Sequence, residues 1–226
     1  MEGSKSSVIC RFCSTMFSRR GMGKHLQSCP ARLESVRTIP PQLGRTVFHV
    51  FVSGKYDTDQ WLHLEVRSNA FLSALDGFLR RIWLECCGHL SCFEVRGVRY
   101  DSAPGDAFGF GYRPRGMKTP AETVMEPGLC FGYEYDFGST THLQLRVIER
   151  RAGAFPNEDV ALIARNDPPV YLCVACKTPA TQICSQCSWS VEAWFCDKCA
   201  DEHGCGEDFF LPIVNSPRMG VCGYGG

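Results

Sequence analysis

Apolar and polar residues alternate over Thr46–Gly54, with Val50 and Val52 on one side, and over Trp61–Arg67, where Leu62, Leu64 and Val66 share a face. A period of two puts alternate side chains on one side of a pleated strand, so both stretches predict half-buried strands. The period then lengthens. Within 69–84 (NAFLSALDGFLRRIWL), Leu72, Leu75, Leu79, Ile82 and Trp83 recur near helical spacing, and Ser68 or Asn69 supplies an N-cap. Strand-like pattern returns over Leu90–Val95 and Val98–Tyr100. The glycine- and proline-rich stretch 101–118 predicts a mobile loop, and a short helix follows at 120–126. Phe131–Phe137 and Thr141–Glu149 flank a Gly138-Ser139 turn and predict a hairpin; Val160–Ala164 is a last strand.

These elements make 46–169 a globular middle of mixed α and β character. Before it, 34–45 (ESVRTIPPQLGR) reads as a linker stiffened by two adjacent prolines. Residues 1–33 form a small Cys/His module, and 170–226 form a cysteine-rich tail introduced by Asp167-Pro168-Pro169. No apolar run approaches the roughly 18 residues of a membrane span. The opening MEGSKSSVICRFCS has no apolar signal region, so the expected compartment is the reducing cytosol, with no membrane partner.

Composition sharpens this picture through cysteine. Fifteen cysteines in 226 residues would suggest disulfides in a secreted chain. Here four pairs have Cys-x-x-Cys spacing (Cys10/Cys13, Cys173/Cys176, Cys184/Cys187 and Cys196/Cys199), with histidines after them. Two intervening residues turn both thiolates onto one ion, so the pattern points to zinc.

The front set is Cys10-x2-Cys13-x11-His25-x3-Cys29. A β-turn presents the first two ligands, and a helix places His25 and Cys29 one turn apart, closing a tetrahedron. Phe17 and Leu26 supply a small core. So short a module cannot fold on burial alone, and zinc binding on the order of 10 kcal/mol would hold it. Net charge is zero, yet residues 1–45 carry eight Lys and Arg against two acids. Arg19, Arg20 and Lys24 at the start of the finger helix, with Arg11, Arg32 and Arg37, suit phosphate contacts, so nucleic acid is a candidate partner. Against sequence-specific reading, Gly21 and Gly23 leave no side chains where base edges would be read. A solvated basic face, or a finger that binds protein, fits the same residues.

The tail contributes eight more ligands: Cys173, Cys176, Cys184, Cys187, Cys196, Cys199, His203 and Cys205. Their spacing resembles cross-brace modules of the B-box type. That resemblance implies one ion held by Cys173, Cys176, Cys196 and Cys199 and another by Cys184, Cys187, His203 and Cys205. Sequential pairing of the first four cysteines is the rival. With the front finger, three zinc ions are expected. Sites closed by four protein ligands leave no position for water and are structural. Trp189, Trp194 and Phe195 read as the module's core, an exposed Trp instead marking an interaction surface for a protein partner. Phe209–Val214 are expected to dock on the middle domain, and Cys222 to be idle or to replace Cys205 as a ligand.

From Val47 to about Ile148 the chain resembles the plasmid ORF-three-like family, also filed as the insertion-element passenger, TnpR-like family. The matching pieces are the first strand, the helix ending Ile82-Trp83, the Gly88-His89-Leu90 to Phe93 segment and Tyr135-Asp136-Phe137-Gly138. The resemblance implies an α+β fold with an antiparallel sheet and packed helices, and an association with mobile elements, but no settled activity. The family continues its motif with Asp, Trp and His, where this chain has Ser139-Thr140-Thr141-His142.

Catalytic candidates are Asp136, His142, His89, Cys86, Cys87 and Cys92. Asp136 reads better as the cap of the hairpin turn, and His89 as a satisfied, partly buried histidine. The adjacent Cys86 and Cys87 are expected to diverge, which argues against a shared metal. The leading expectation is a non-enzymatic zinc protein touching nucleic acid through the finger and protein through the tail. The alternatives are a pure protein–protein adaptor and an enzyme with a site in the middle-domain cleft.

Overall fold

The structure, a computed structural model, describes residues 7–37, 45–105, 114–153 and 158–226. At the front, strands β1 (Ser7–Ile9) and β2 (Met16–Ser18) form a small hairpin. Helix α1 (Arg19–Ser28) follows, its N-terminus capped by Ser18, whose Oγ accepts from the Gly21 N–H at 3.2 Å. A second helix, α2 (Pro30–Arg37), starts on a proline, whose missing N–H costs nothing at that position. It carries regular structure across the 33/34 boundary into the segment read as linker; residues 38–44 lie outside the described residues.

The middle domain is one large sheet. Its strands are β3 (Arg45–Gly54), β4 (Trp61–Arg67), β5 (Ser91–Val95), β6 (Val98–Asp101), β7 (Arg115–Gly116), β8 (Cys130–Tyr135), β9 (Thr141–Gly153) and β10 (Val160–Arg165), in the order β10-β4-β3-β9-β8-β5-β6-β7. Every pairing is antiparallel except β6 with β7. The β5–β6 turn has Arg96 and Gly97 both at positive φ, the turn geometry that matches strand twist. Of the long loop read at 101–118, residues 106–113 lie outside the described set, and Arg115–Gly116 pairs as an edge strand.

Helix α3 (Leu72–Leu79) packs Leu72, Leu75 and Leu79 on one face of the sheet with Val50, Val52, Leu62, Leu64, Tyr133 and Leu145. Two details depart from the periodicity. The N-cap is Phe71, with no side-chain cap, in place of Ser68 or Asn69. The last turn, Arg80–Leu84, widens to a π-helical turn, which rotates Trp83 and Leu84 into the core. The helix expected at 120–126 is a single 3-10 turn at Ala121–Thr123.

In the tail, β11 (Gln182–Cys184) pairs with β12 (Trp194–Phe195) and with β13 (Phe210–Pro212), and α4 (Asp197–Asp201) packs beside them. Phe210 and Leu211 therefore belong to the tail's own sheet. Docking on the middle domain falls to the residues after them: Ser216 Oγ donates to the Trp83 carbonyl at 2.6 Å, and Arg218 is fully buried. Mixed α and β structure, rich in strand, is thus flanked by small cysteine-bearing modules. Among the described residues no helix is long and apolar enough to cross a membrane.

Candidate metal centres

All fifteen cysteines are free thiols, and thirteen of them stand with three histidines in four clusters. In each cluster the ligand atoms all lie within 4.8 Å of one another. For Zn–S bonds of about 2.3 Å a tetrahedron has sulfur–sulfur edges of roughly 3.8 Å, so such spacing can be tested directly.

The front cluster is Cys10, Cys13, His25 and Cys29. The β1–β2 hairpin presents the first two, and the last turn of α1 presents His25, with Cys29 as its C-cap. Cys13 Sγ lies 3.3 Å from His25 Nε2, and Phe17 stacks on the imidazole at 3.8 Å between ring centroids. The tail holds two interleaved clusters. Cys173, Cys176, Cys196 and Cys199 form one, with Cys176 and Cys196 Sγ 3.6 Å apart. Cys184, Cys187, His203 and Cys205 form the other, Cys187 Sγ lying 3.4 Å from His203 Nε2 and 3.6 Å from Cys205 Sγ. The first and third pairs thus come together, and sequential pairing does not occur. Cys222 takes no part in either.

The tail thiols differ in how readily they ionise. Burial opposes ionisation of Cys173, but the backbone N–H groups of Cys176, Cys196 and Ala175 outweigh it and bring the thiol down to about 6. Elsewhere crowded sulfurs oppose one another. Cys205 first, then burial, pushes Cys187 up to about 11; Cys196 and Cys176 push Cys199 up to about 12. Thiols that cannot all ionise alone do so around a divalent ion.

The fourth cluster joins Cys86, Cys87, His89 and Cys222 and was not expected from the sequence. The adjacent cysteines do not diverge: their sulfurs lie 3.6 Å apart. They sit in a tight bend after the π-helical turn, where Gly88 adopts φ +77° and lets His89 fold back. The sequence signal was Cys-Cys-Gly-His, in which glycine permits that reversal.

The finger does not hang free. Val8, Met22 and Leu26 pack against Trp61 and Ile163, on the sheet face opposite α3. This explains why β4 is buried on both faces although its sequence alternates: Trp61, His63 and Glu65 lie under the finger. A Cβ on Gly23 would come within 3.2 Å of the His63 ring. Arg32, 1% exposed, bonds Glu65 and the Leu26 carbonyl and lies 3.6 Å from Glu149. It is therefore withdrawn from the basic surface read from sequence, because its charge is consumed inside the interface. Arg19 is half-buried over the Phe51 ring at 5.4 Å. Arg20 and Lys24 remain exposed one turn apart, and Arg11, also exposed, donates to the Leu162 carbonyl. The side chain of Arg37 lies outside the described residues.

The middle-domain candidates separate. Asp136 caps its turn, Oδ1 accepting from Gly138 N at 3.0 Å, while Oδ2 pairs with Arg218 at 2.8 Å. Burial raises that carboxyl, and the Arg218 guanidinium, the backbone N–H groups of Gly138 and Ser139 and the nearby His89 together more than offset it, leaving the pKa below the usual carboxylate range. His89 Nε2 lies 3.6 Å from Asp136 but belongs to the fourth cluster. His142 sits 3.4 Å from Glu134 and lines a cavity of about 510 Å³ with Arg99 and Asp101, a cavity that neither Asp136 nor His89 lines. Cys92 is buried beside Glu134 at 3.7 Å, and burial first pushes its thiol up to about 12.

In the tail module, Phe195 is buried, Trp194 stacks on Tyr171 at 3.9 Å, and Trp189 stands out, 72% exposed. No protein-family profile matches the chain, and no curated protein does. A solved structure of a protein of unknown function, MM3350 from Methanosarcina mazei Go1, is similar with a TM-score of 0.45 and 18% identity, over 54% of this chain and 70% of that one.

Proposed function

We propose that this chain is a non-enzymatic binding protein, scaffolded by zinc, that docks a protein partner through its C-terminal module. The carrying observation is Trp189. Its indole is 72% exposed and Val191 beside it is 61% exposed, both on the short segment between Cys187 and Cys196. A large exposed aromatic is the side-chain type that anchors protein interfaces. Three clusters, those of the front finger and the two in the tail, supply thiolate and imidazole at tetrahedral spacing, a donor set suited to zinc. Four protein ligands at each centre leave no position for a reacting water, so the ion's contribution is shape. The middle domain is assigned no chemistry of its own, in keeping with the ORF-three-like family it resembles.

The test replaces Trp189 and Val191 together by alanine in the full chain. Co-purification from native cells, with nuclease treatment in parallel, should lose a nuclease-resistant protein partner that the wild type retains. An unchanged partner set contradicts the proposal.

A second reading rests on Arg20 and Lys24, exposed one turn apart on α1, with Arg11 nearby in sequence. A stripe this small fits nonspecific phosphate contact, weakening steeply with salt. Replacing Arg20 and Lys24 by alanine should abolish any gel shift of DNA or RNA; a shift that survives the change, or is insensitive to salt, rejects this reading. Arg19 contributes less, since its guanidinium faces Phe51.

A further inference from the structure

Thirteen of the fifteen cysteines belong to clusters, yet only ten of them are used by the three zinc centres proposed above. The other three, Cys86, Cys87 and Cys222, meet at one point with His89. We propose that these four residues form a fourth zinc site, a metal staple that fastens the C-terminal tail to the middle domain.

The distances are those of a ligand shell. Cys87 Sγ lies 3.6 Å from Cys86 Sγ and 3.8 Å from Cys222 Sγ, and His89 Nε2 lies 3.3 Å from Cys222 Sγ. The sulfur–sulfur distances match the edges of roughly 3.8 Å that a sulfur-ligated zinc tetrahedron requires and the corresponding 3.6 Å edges in the tail module, while His89 Nε2 stands closer, at 2.9 Å from Cys87 Sγ and 3.3 Å from Cys222 Sγ. None of the sulfur pairs is bonded. Cys87 and Cys222 are both exposed, and their sulfurs meet at the surface although 135 residues separate them in the chain.

The backbone is built for the meeting on both sides. Glu85 Oε1 accepts from the Gly88 N–H at 2.6 Å and from the Tyr135 hydroxyl at 3.0 Å, pinning the Cys-Cys-Gly-His bend. On the tail side Gly220, Cys222 and Gly223 all adopt positive φ, a costly conformation for Cys222 that aims its sulfur at the bend. Arg218 Nη2 donates to Cys86 Sγ at 3.4 Å while pairing with Asp136, so one buried guanidinium supports a thiolate ligand and ties the tail to the β8–β9 turn. Three thiolates and an imidazole select zinc over hard cations; binding releases the thiol protons to solvent.

Each of the other three clusters contains at least one fully buried cysteine, and the fourth contains none. It is therefore the centre that a chelator reaches first. Its loss removes one of the ties between the tail and the middle domain, beside those of Ser216 and Arg218, without unmaking the cross-brace module, because the ligand sets share no residue.

The full-length zinc-loaded protein, prepared under reducing conditions, tests this by iodoacetamide labelling with peptide mass mapping. Cys130 is exposed and outside every cluster, so it reports an unprotected thiol. Cys87 and Cys222 should label at least roughly tenfold more slowly than Cys130, and should reach its rate after brief chelation, before the front and tail cysteines respond. Labelling of Cys87 and Cys222 at the Cys130 rate in the untreated protein, or a Cys87–Cys222 disulfide, overturns the proposal. As a second measurement, Cys222→Ser should lower the zinc count in native mass spectrometry by one ion and expose Cys87 to labelling. An unchanged count overturns the staple. Loss of metal from the front or tail clusters in the wild type would instead count against the function proposed above, and is read at different cysteines.

Discussion

Replacing Arg32 by methionine removes one cation from a buried network of two arginines, two glutamates and a histidine beneath the finger. In the wild type Arg32 bonds Glu65 and the Leu26 carbonyl and lies 3.6 Å from Glu149. Breaking a buried ion pair from one side costs about 3–5 kcal/mol, because the remaining charge is left without compensation. Here the lower end applies. Glu65 keeps Arg151, and Glu149, whose side chain is a quarter exposed, keeps His49 at 3.6 Å. The Leu26 carbonyl loses its donor, and methionine restores part of the lost volume. A destabilisation of about 3 kcal/mol results. With a urea m value of about 2 kcal/mol/M, the unfolding midpoint should fall by about 1.5 M. The assay is urea unfolding followed by fluorescence and circular dichroism, with zinc content checked to be equal in both proteins. A midpoint shift under about 0.5 M at equal zinc content refutes the view that this pair clamps the finger to the sheet.

Three further predictions follow from the same geometry. Burial first, and the neighbouring His49 second, hold the folded pKa of His63 near 2, while the unfolded side chain titrates near 6.5. The unfolded chain therefore takes the proton first, stability is complete above pH 6.5 and falls as pH drops below it, by about 1.4 kcal/mol per pH unit. Between pH 7.5 and 5.5 the wild type should lose about 1.4 kcal/mol more than His63→Asn in denaturant unfolding; equal losses contradict this. Trp189→Ala should change stability by less than about 0.5 kcal/mol, whereas Trp61→Ala, buried between finger and sheet, should cost about 3–5 kcal/mol in the same assay. A Cβ on Gly54 would lie 2.2 Å from the Asp57 carbonyl oxygen, so Gly54→Ala should lower stability by about 1–3 kcal/mol and leave the zinc content unchanged.

Periodicity located most of the sheet because each strand alternates against a single core. It failed where a second layer intervened: nothing in WLHLEVR shows that Trp61, His63 and Glu65 are also covered, since their cover is the finger, which is distant in sequence. For the same reason Arg32 read as a surface charge. The ligand sets of the finger and tail were legible because their spacing is local, two residues within a knuckle and three along a helix. The fourth cluster was not, since Cys222 comes to Cys86, Cys87 and His89 only through the tail's docking by Ser216 and Arg218. The widened turn at Arg80–Leu84 escaped as well, because it continues the same apolar face as the helix before it.

The proposed function needs sulfurs organised around ions. Native mass spectrometry of the full chain, compared with the same sample denatured in acid, counts those ions. The expected native mass exceeds the acid mass by three zinc ions for the finger and tail, and by a fourth when the staple is filled, with every thiol reduced after acid release. A native mass without metal, or an acid mass lighter by two hydrogens for each sulfur pair, would contradict it.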